Sequence, residues 1–236
     1  MKKTKFPQIL HFGLILLFAS VFIYLGGCKS ETPVTAINQN QQGGYNTSVG
    51  AFSENNSSDN TMTLTTAKFL LRKIELESEE GGEESEINLG PIVVDLDLSA
   101  RVTEFSYAKV VPGIYHEIHF QLHKPAPTES ISDPEFIEST NARYSVIVKG
   151  VFNGEFFVYK TDVTVSKEVE FENHNVAITA NGFVNITVRV NPFLWFEGAN
   201  GILNPLDPVN KILIDKNIKD SFRRAFKDND KNGEPD

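Results

Sequence analysis

The 236-residue chain is poor in cysteine and in basic side chains. Its single cysteine, Cys28, excludes an internal disulfide or a Cys-x-x-Cys redox pair. Lys and Arg number 22 against 31 Asp and Glu, and this balance argues against nucleic acid as a partner, because nucleic acid needs a basic face. Serine-nucleophile elbows, phosphate-binding loops, zinc-protease motifs and glycine-rich dinucleotide turns are missing as well. The sequence therefore predicts a protein that is not an enzyme.

The first 27 residues have the order of an export signal: three lysines by position 5, an apolar run over residues 14–25, and then Gly26-Gly27 before Cys28. The run is shorter than the about 20 residues of a membrane span, which favours a cleaved signal peptide over a signal anchor. Leu25-Gly26-Gly27-Cys28 resembles a bacterial lipobox. The resemblance implies a lipoprotein with fatty-acid chains, such as palmitate, on Cys28.

Two or more chains, at about 0.8 kcal/mol per buried methylene, would hold the mature chain stably on a membrane. Its partner there is the membrane, reached through the N-terminal lipid. The next residues, Lys29-Ser30-Glu31, resemble the Lys-plus-acid signal of surface lipoproteins of the Bacteroidetes, with Ser30 in place of an acid. This resemblance implies the cell envelope as location, with the outer membrane and its exposed face as the expected site.

Residues 28–61 are rich in Asn, Gln, Gly and Ser and offer little apolar area to offset the entropy of ordering. They are predicted to form a flexible tether. Residues 62–195 are predicted as a β-sandwich domain, and residues 196–236 as a loop, an amphipathic helix and an acidic tail.

From residue 61 onward, apolar residues alternate with polar ones, as in half-buried strands. Asn153-Gly154 lies between two such segments and predicts a tight hairpin turn. The fold class is therefore mostly β, an antiparallel β-sandwich of about eight strands with one C-terminal helix. The predicted strands are residues 62–77, 86–98, 104–111, 114–123, 143–152, 155–162, 163–171 and 176–190.

Three segments, residues 67–74, 94–96 and 111–118, resemble a group of bacterial envelope lipoproteins with a prealbumin-like sandwich. The likeness covers residues 65–125 and implies a fold without a defined activity.

The helix is predicted over residues 209–226, with Asp207 as its N-cap and Pro208 in its first turn. Its apolar stripe consists of Ile214, Ile218, Phe222 and Ala225. Before it, Phe193, Trp195 and Phe196 either close the core under the helix or form a sugar-binding platform, and the first interpretation is preferred.

The chain ends in Asp-x-Asp-x-Asn-Gly-x-x-Asp, residues 228–236, which resembles a calcium-binding loop of the EF-hand type. Calcium takes six to eight oxygen ligands, and the glycine permits a sharp turn around the ion. Position 12 of the motif is absent and Pro235 stands at position 8, so a weak Ca²⁺ site is expected. The resemblance implies five ligands: the side chains of Asp228, Asp230 and Asn232, the backbone carbonyl of Glu234, and Asp236 either directly or through a water molecule.

Other candidate sites are weaker. His116, His119 and His123 are interpreted as ordinary strand residues, because strand spacing separates them and turns His116 to the other face. Asp95 and Asp97 alternate with core residues and are interpreted as a solvated face rather than a glycosidase pair. Two functions stay open: a structural or adhesive display module, or a module that binds a small ligand or a glycan.

Overall fold

The computed structural model describes residues 32–38, 60–78, 85–87, 91–99, 107–173, 175–180 and 182–236. The predicted signal peptide, Cys28 and most of the predicted tether lie outside these residues. No helix in the described part is long and apolar enough to span a membrane.

Fourteen strands lie within the described residues. They are β1 (Thr32–Asn38), β2 (Met62–Ser78), β3 (Ser85–Ile87), β4 (Ile92–Asp95), β5 (Tyr107–Val110), β6 (Gly113–Leu122), β7 (Val146–Phe152), β8 (Glu155–Thr161), β9 (Val165–Glu170), β10 (Val176–Ile178), β11 (Val184–Arg189), β12 (Glu197–Gly198), β13 (Gly201–Ile202) and β14 (Arg224–Lys227).

The strands form two main sheets with a shared apolar core. The larger sheet has the order β10-β6-β2-β7-β8, with β3 and β4 beside β2 and β9 beside β6. The smaller sheet has the order β14-β11-β1-β5, and β12 and β13 form a short hairpin. All pairs are antiparallel except β1 with β11. This architecture confirms the predicted antiparallel β-sandwich.

The 17-residue strand β2 organises the larger sheet. Its first half pairs with β7 and β4, and its second half pairs with β6 and β3. Alternate residues such as Leu64, Ile74 and Leu76 point into the core, as the period-two pattern predicts. The hairpin between β7 and β8 also follows the prediction, because Asn153 and Gly154 take φ values of 50° and 84°.

The structure departs from the sequence prediction in how it divides the strands. The predicted strand 86–98 is split into β3 and β4, and the predicted strand 176–190 into β10 and β11. Within the predicted tether, Thr32–Asn38 forms β1, a strand that the sequence prediction does not contain. The composition of the segment does not predict this strand, because its stabilising partner, β11, lies about 150 residues further along the chain.

The C-terminal helix is shorter than predicted. Its first turn is a 3₁₀ helix, Pro208–Asn210, and α1 covers Lys211–Ser221. Asp207 caps this turn as predicted, since its Oδ1 accepts a hydrogen bond of 3.0 Å from the Val209 N–H. Ala225 lies in β14 instead of the helix, because residues 224–227 pair with β11.

The helix is held against the sandwich by aromatic residues. Trp195 is fully buried, and its Nε1 donates to Ser221 Oγ at 2.8 Å. The ring of Phe196 packs against Phe157 at 5.7 Å and Tyr159 at 5.8 Å between centroids. Trp195 and Phe196 therefore close the core, as preferred from sequence, and do not form an exposed sugar platform.

Lys68 fixes the loop between β6 and β7 to the first half of β2. Although only 7% exposed, it forms ion pairs with Asp133 and Glu135, and Lys149 also pairs with Glu135. Hydrogen bonds from Lys149 and Lys68 lower the pKa of Glu135 to about 2. The carboxylates of this region are thus balanced by nearby cations.

Candidate metal sites

The acidic loop, residues 228–236, follows β14 directly and not a helix as predicted. Backbone hydrogen bonds hold both of its ends: the Asp228 N–H donates to the Asn185 carbonyl at 2.9 Å, and the Asp236 N–H donates to the Lys227 carbonyl at 3.0 Å. The loop is therefore folded back on the smaller sheet rather than extended into solvent.

Asp228 is the buried centre of the acidic loop, with 0% exposure. Its Oδ2 accepts hydrogen bonds from Thr187 Oγ1 at 2.7 Å and from the Gly233 N–H at 3.0 Å. Its Oδ1 accepts a third bond of 3.0 Å from the Asn232 N–H. These bonds compensate for the loss of water around the carboxylate.

Three of the five predicted calcium ligands come together. One carboxylate oxygen from each of Asp228, Asp230 and Asp236 lies within 4.8 Å of the others. Gly233 has a φ of 82°, which supplies the turn that the motif predicts. The chemistry of these three oxygens suits a hard cation such as calcium.

The other two predicted ligands have different contacts. The Asn232 Oδ1 accepts a hydrogen bond of 2.7 Å from the Glu234 N–H, and the Asn232 Nδ2 donates to Asp230 at 2.9 Å. The Glu234 carboxylate forms an ion pair of 2.9 Å with Arg189. The predicted Glu234 ligand is its backbone carbonyl and not this carboxylate, so Asn232 and Glu234 stay predictions from sequence.

Two cations lie beside the acidic loop. Lys227 Nζ pairs with the Asp236 carboxylate at 3.1 Å. Arg189, 5% exposed, donates to the Gly233 carbonyl and lies over the ring of Phe226 at 5.4 Å. Its Nε and Nη1 have no hydrogen-bond partner in the described part of the chain. These cations explain how the loop folds with its negative charges close together.

A cleft of about 310 Å³ opens beside the loop. It is lined by Glu172, Asn175, Ala177, Lys227, Pro235 and Asp236. Glu172 is fixed there by two contacts with the Arg224 guanidinium, one of them 2.7 Å, and this partner lowers the pKa of Glu172. The cleft therefore presents charges of both signs.

A second cluster of ligand atoms lies on the larger sheet, where β2 and β6 pair. One ligand atom from each of Glu77, His116 and Glu117 lies within 4.8 Å of the others. We call these three residues the sheet cluster. Glu77 is directly opposite Glu117, whereas Ser78 is opposite Tyr115, so His116 has no opposite residue on β2. This β-bulge is what brings His116 to the glutamates.

The glutamates of the sheet cluster continue a row of like charges. Glu117 is opposite Glu77 on one side and opposite Glu170 on the other. Burial, the hydrogen bond with Glu77 and the charge of Glu77 raise the pKa of Glu117. Within the part of the chain that the structure describes, no Lys or Arg forms an ion pair with Glu77 or Glu117.

The three histidines have different contacts. His119 pairs with Glu75 at 2.9 Å and contacts Ser166 at 3.0 Å, and His123 contacts the Lys124 carbonyl at 2.6 Å. His116 lies near Glu77 and Glu117 at the bulge, where the simple alternation assumed from the sequence does not hold. Its Nδ1 is shielded from solvent and has no hydrogen-bond partner among the described residues.

Asp95 and Asp97, the two carboxylates considered for glycoside chemistry, have different surroundings. The Asp97 Oδ1 accepts hydrogen bonds from the backbone N–H and the hydroxyl of Ser99, at 2.8 and 2.5 Å, as in a turn. Asp95 ends β4 opposite Lys68 and is exposed.

No protein-family model and no curated protein matches the sequence. Among solved structures, the chain is similar to MbnP from Methylosinus trichosporium, with 10% sequence identity and a TM-score of 0.46 over 78% of this chain and 87% of that chain. Neither a family nor a function follows from this degree of similarity. The resemblance to prealbumin-like envelope lipoproteins stays a prediction from sequence.

Proposed function

We propose that the chain is a cell-envelope lipoprotein that displays its β-sandwich as a structural or adhesive module, with calcium bound by the acidic loop. Anchorage through lipid on Cys28 rests on the signal-like N-terminus and the Leu-Gly-Gly-Cys motif. The adhesive part rests on a feature of the larger sheet, the edge strand β8.

Strand β8 ends the order of the larger sheet, and in the described part of the chain no strand pairs with its outer edge. Its residues alternate: Phe157 and Tyr159 are buried in the core, whereas Phe156 is 61% and Val158 is 44% exposed. Edge strands with exposed apolar residues are sites where another chain adds a strand. This apolar edge is the observation that carries the proposal.

Calcium is supported by the three converging carboxylates of the acidic loop. The Asp228 carboxylate is already fixed by its hydrogen bonds, so the ion meets a preformed site. Three protein carboxylates are few for calcium, and Lys227 competes for Asp236, so we expect a weak site, in the range of about 10⁻⁴ to 10⁻³ M.

Liposomes that carry the acylated full chain test adhesion, with turbidity as the measure of aggregation. We expect Val158→Lys to abolish aggregation, because the charge at the sheet edge opposes strand pairing. Val209→Lys is the matched control, since Val209 is 82% exposed but lies outside the sheet. Wild-type liposomes that stay dispersed, or equal aggregation by both variants, would refute the adhesive function.

Metabolic labelling with palmitate tests the anchor separately. The wild-type chain is expected to take up label and to fractionate with membranes, and Cys28→Ser to lose both properties. Label that persists in Cys28→Ser contradicts lipidation at this residue.

Calorimetric titration of the full chain with Ca²⁺ tests the acidic loop. Saturable heat that is lost in Asp230→Ala supports the site, because Asp230 is exposed and its removal spares the fold. Absence of heat up to several millimolar contradicts it.

A module that binds a small ligand is the second candidate, favoured by the cleft beside the acidic loop. Its volume of about 310 Å³ is at the lower end for ligand sites, and its charged lining suits a small polar molecule. Ala177→Phe would fill the cleft without changing its charges. Thermal shifts by amino acids or simple sugars that disappear in this variant support the second candidate, and shifts that persist count against it.

A further inference from the structure

The sheet cluster places two glutamates against each other on one surface. Antiparallel neighbours directly opposite one another have Cβ atoms about 4.5–5.5 Å apart, and like charges at this separation are destabilising. Glu77 and Glu117 are such neighbours, and Glu170 continues the row on β9. A positive species between the carboxylates, either a shared proton or a bound cation, relieves this repulsion.

His116 distinguishes between these two solutions. A shared proton requires only the two carboxylates, whereas the bulge adds a ring nitrogen within 4.8 Å of an oxygen from each. Bulges frequently re-aim a side chain at a functional site. The shielded Nδ1 of His116 also lacks a hydrogen-bond partner in the described part of the chain, so the ring is held without the bond that a structural histidine normally has.

We propose that Glu77, His116 and Glu117 form a binding site for a divalent transition metal of the zinc class. One imidazole nitrogen and two carboxylates are ligands that zinc takes at about 2 Å, whereas calcium and magnesium take oxygen alone. Ligands of a tetrahedral zinc ion lie about 3.3 Å from one another. Glutamate side chains reach this spacing from 4.8 Å by rotation about their flexible bonds.

The site is open on one side, because Glu77 is exposed and the three residues supply three ligands. A zinc-class ion there keeps a fourth position for water or for a ligand from outside the chain. The nearby Glu168 and Glu170 on β9 add negative charge that favours a divalent cation. The site is separate from the acidic loop and does not depend on the proposed function.

The test is a titration of the chelator-treated full chain with Co²⁺, followed by displacement with Zn²⁺. We expect one equivalent of Co²⁺ to produce the visible absorption of a four-coordinate ion and Zn²⁺ to remove it. His116→Gln and Glu117→Gln should each weaken binding at least about tenfold, since each removes a direct ligand. Glu77→Gln should also weaken binding while keeping the fold, because it relieves the like-charge contact.

His119→Gln is the matched control. It is the same substitution on the same strand, and His119 has its own partner in Glu75. Binding within about twofold of wild type in this variant and in Asp230→Ala, which spares the fold, supports the proposal and assigns it away from the acidic loop. The proposal fails if Co²⁺ gives no saturable absorption, if His116→Gln binds as wild type does, or if His119→Gln loses binding equally.

Discussion

The acidic loop and the sheet cluster each bring carboxylates within 4.8 Å, yet their surroundings are opposite. In the loop, Asp228 is buried and accepts three hydrogen bonds, and Lys227 pairs with Asp236. On the sheet, Glu77 and Glu117 have each other and His116 as neighbours. A carboxylate with its own donors stabilises the fold, whereas a carboxylate beside another one is retained at a cost in stability and is a candidate for binding.

The Lys68 region is a third group of neighbouring carboxylates that can be compared with the acidic loop and the sheet cluster. There, Asp133 and Glu135 also lie close together, but Lys68 pairs with both of them and Lys149 pairs with Glu135. Both regions include a residue of β2, Lys68 in its first half and Glu77 next to its last residue. The two regions therefore differ in whether a lysine side chain pairs with both neighbouring carboxylates.

Asp228→Ala is expected to have the largest effect. It leaves three donors without their acceptor in a buried place, and we expect a loss of about 3 kcal/mol in the free energy of unfolding. Urea denaturation in the presence of chelator measures the loss without any contribution from calcium. Asp230→Ala is the control, because this exposed residue should change stability by less than about 0.5 kcal/mol. Equal effects of the two substitutions would mean that the hydrogen bonds of Asp228 do not stabilise the fold.

Lys68→Met is expected to cost about 2 kcal/mol, because it turns a bridged pair of carboxylates into an unbridged one while keeping the apolar stem. Lys149→Met is the matched control, since the more exposed Lys149 should contribute less than about 1 kcal/mol. Urea denaturation of both variants provides the comparison. Similar losses would show that burial of the bridging cation is unimportant.

Glu77→Gln is expected to act in the opposite direction. Without metal it should stabilise the protein by up to about 1 kcal/mol, because it removes a like-charge contact. Glu75→Gln serves as control, as Glu75 has Lys73 and His119 as partners and should gain nothing. Melting temperatures in chelator measure both, and a destabilised Glu77→Gln variant would show that the cluster is not strained by its charges.

The smallest expected effect is on the pH dependence of the free energy of unfolding, and it is specific to Glu135. The folded-state pKa of Glu135 is about 2, below its ordinary value of 4.5, so its contribution is present above pH 4.5 and is lost as the pH falls through about 2. Glu135→Gln should therefore flatten the decline of stability between these two pH values. Urea denaturation at several pH values tests this, and an unchanged slope would mean that Glu135 is not held as an anion by its lysines.

The sequence predicts those parts of the fold that depend on local patterns. Alternation along β6, the Asn153-Gly154 turn and the Asp207 cap are each encoded within a few residues. Strands β1 and β14 are not predicted, because each is stabilised by β11, which is distant in sequence.

The same limit applies to the candidate sites. The acidic loop is visible as a motif, since its residues are consecutive, although the partners of Asn232 and Glu234 are not. The sheet cluster combines β2 and β6, about 40 residues apart, through a one-residue bulge at His116. Nothing in the alternation of either strand indicates where such a shift occurs. Alternation alone therefore does not predict that His116 lies near the two glutamates.

Strand β11 has a further consequence, for the order in which the protein folds. Its neighbours are β1, near the beginning of the chain, and β14, near the end. Contacts between residues so far apart carry a high cost of loop closure and form slowly. We expect the larger sheet, whose β2, β6, β7 and β8 are joined by closer contacts, to form first. The smaller sheet then forms late, once residues 224–227 pair with β11.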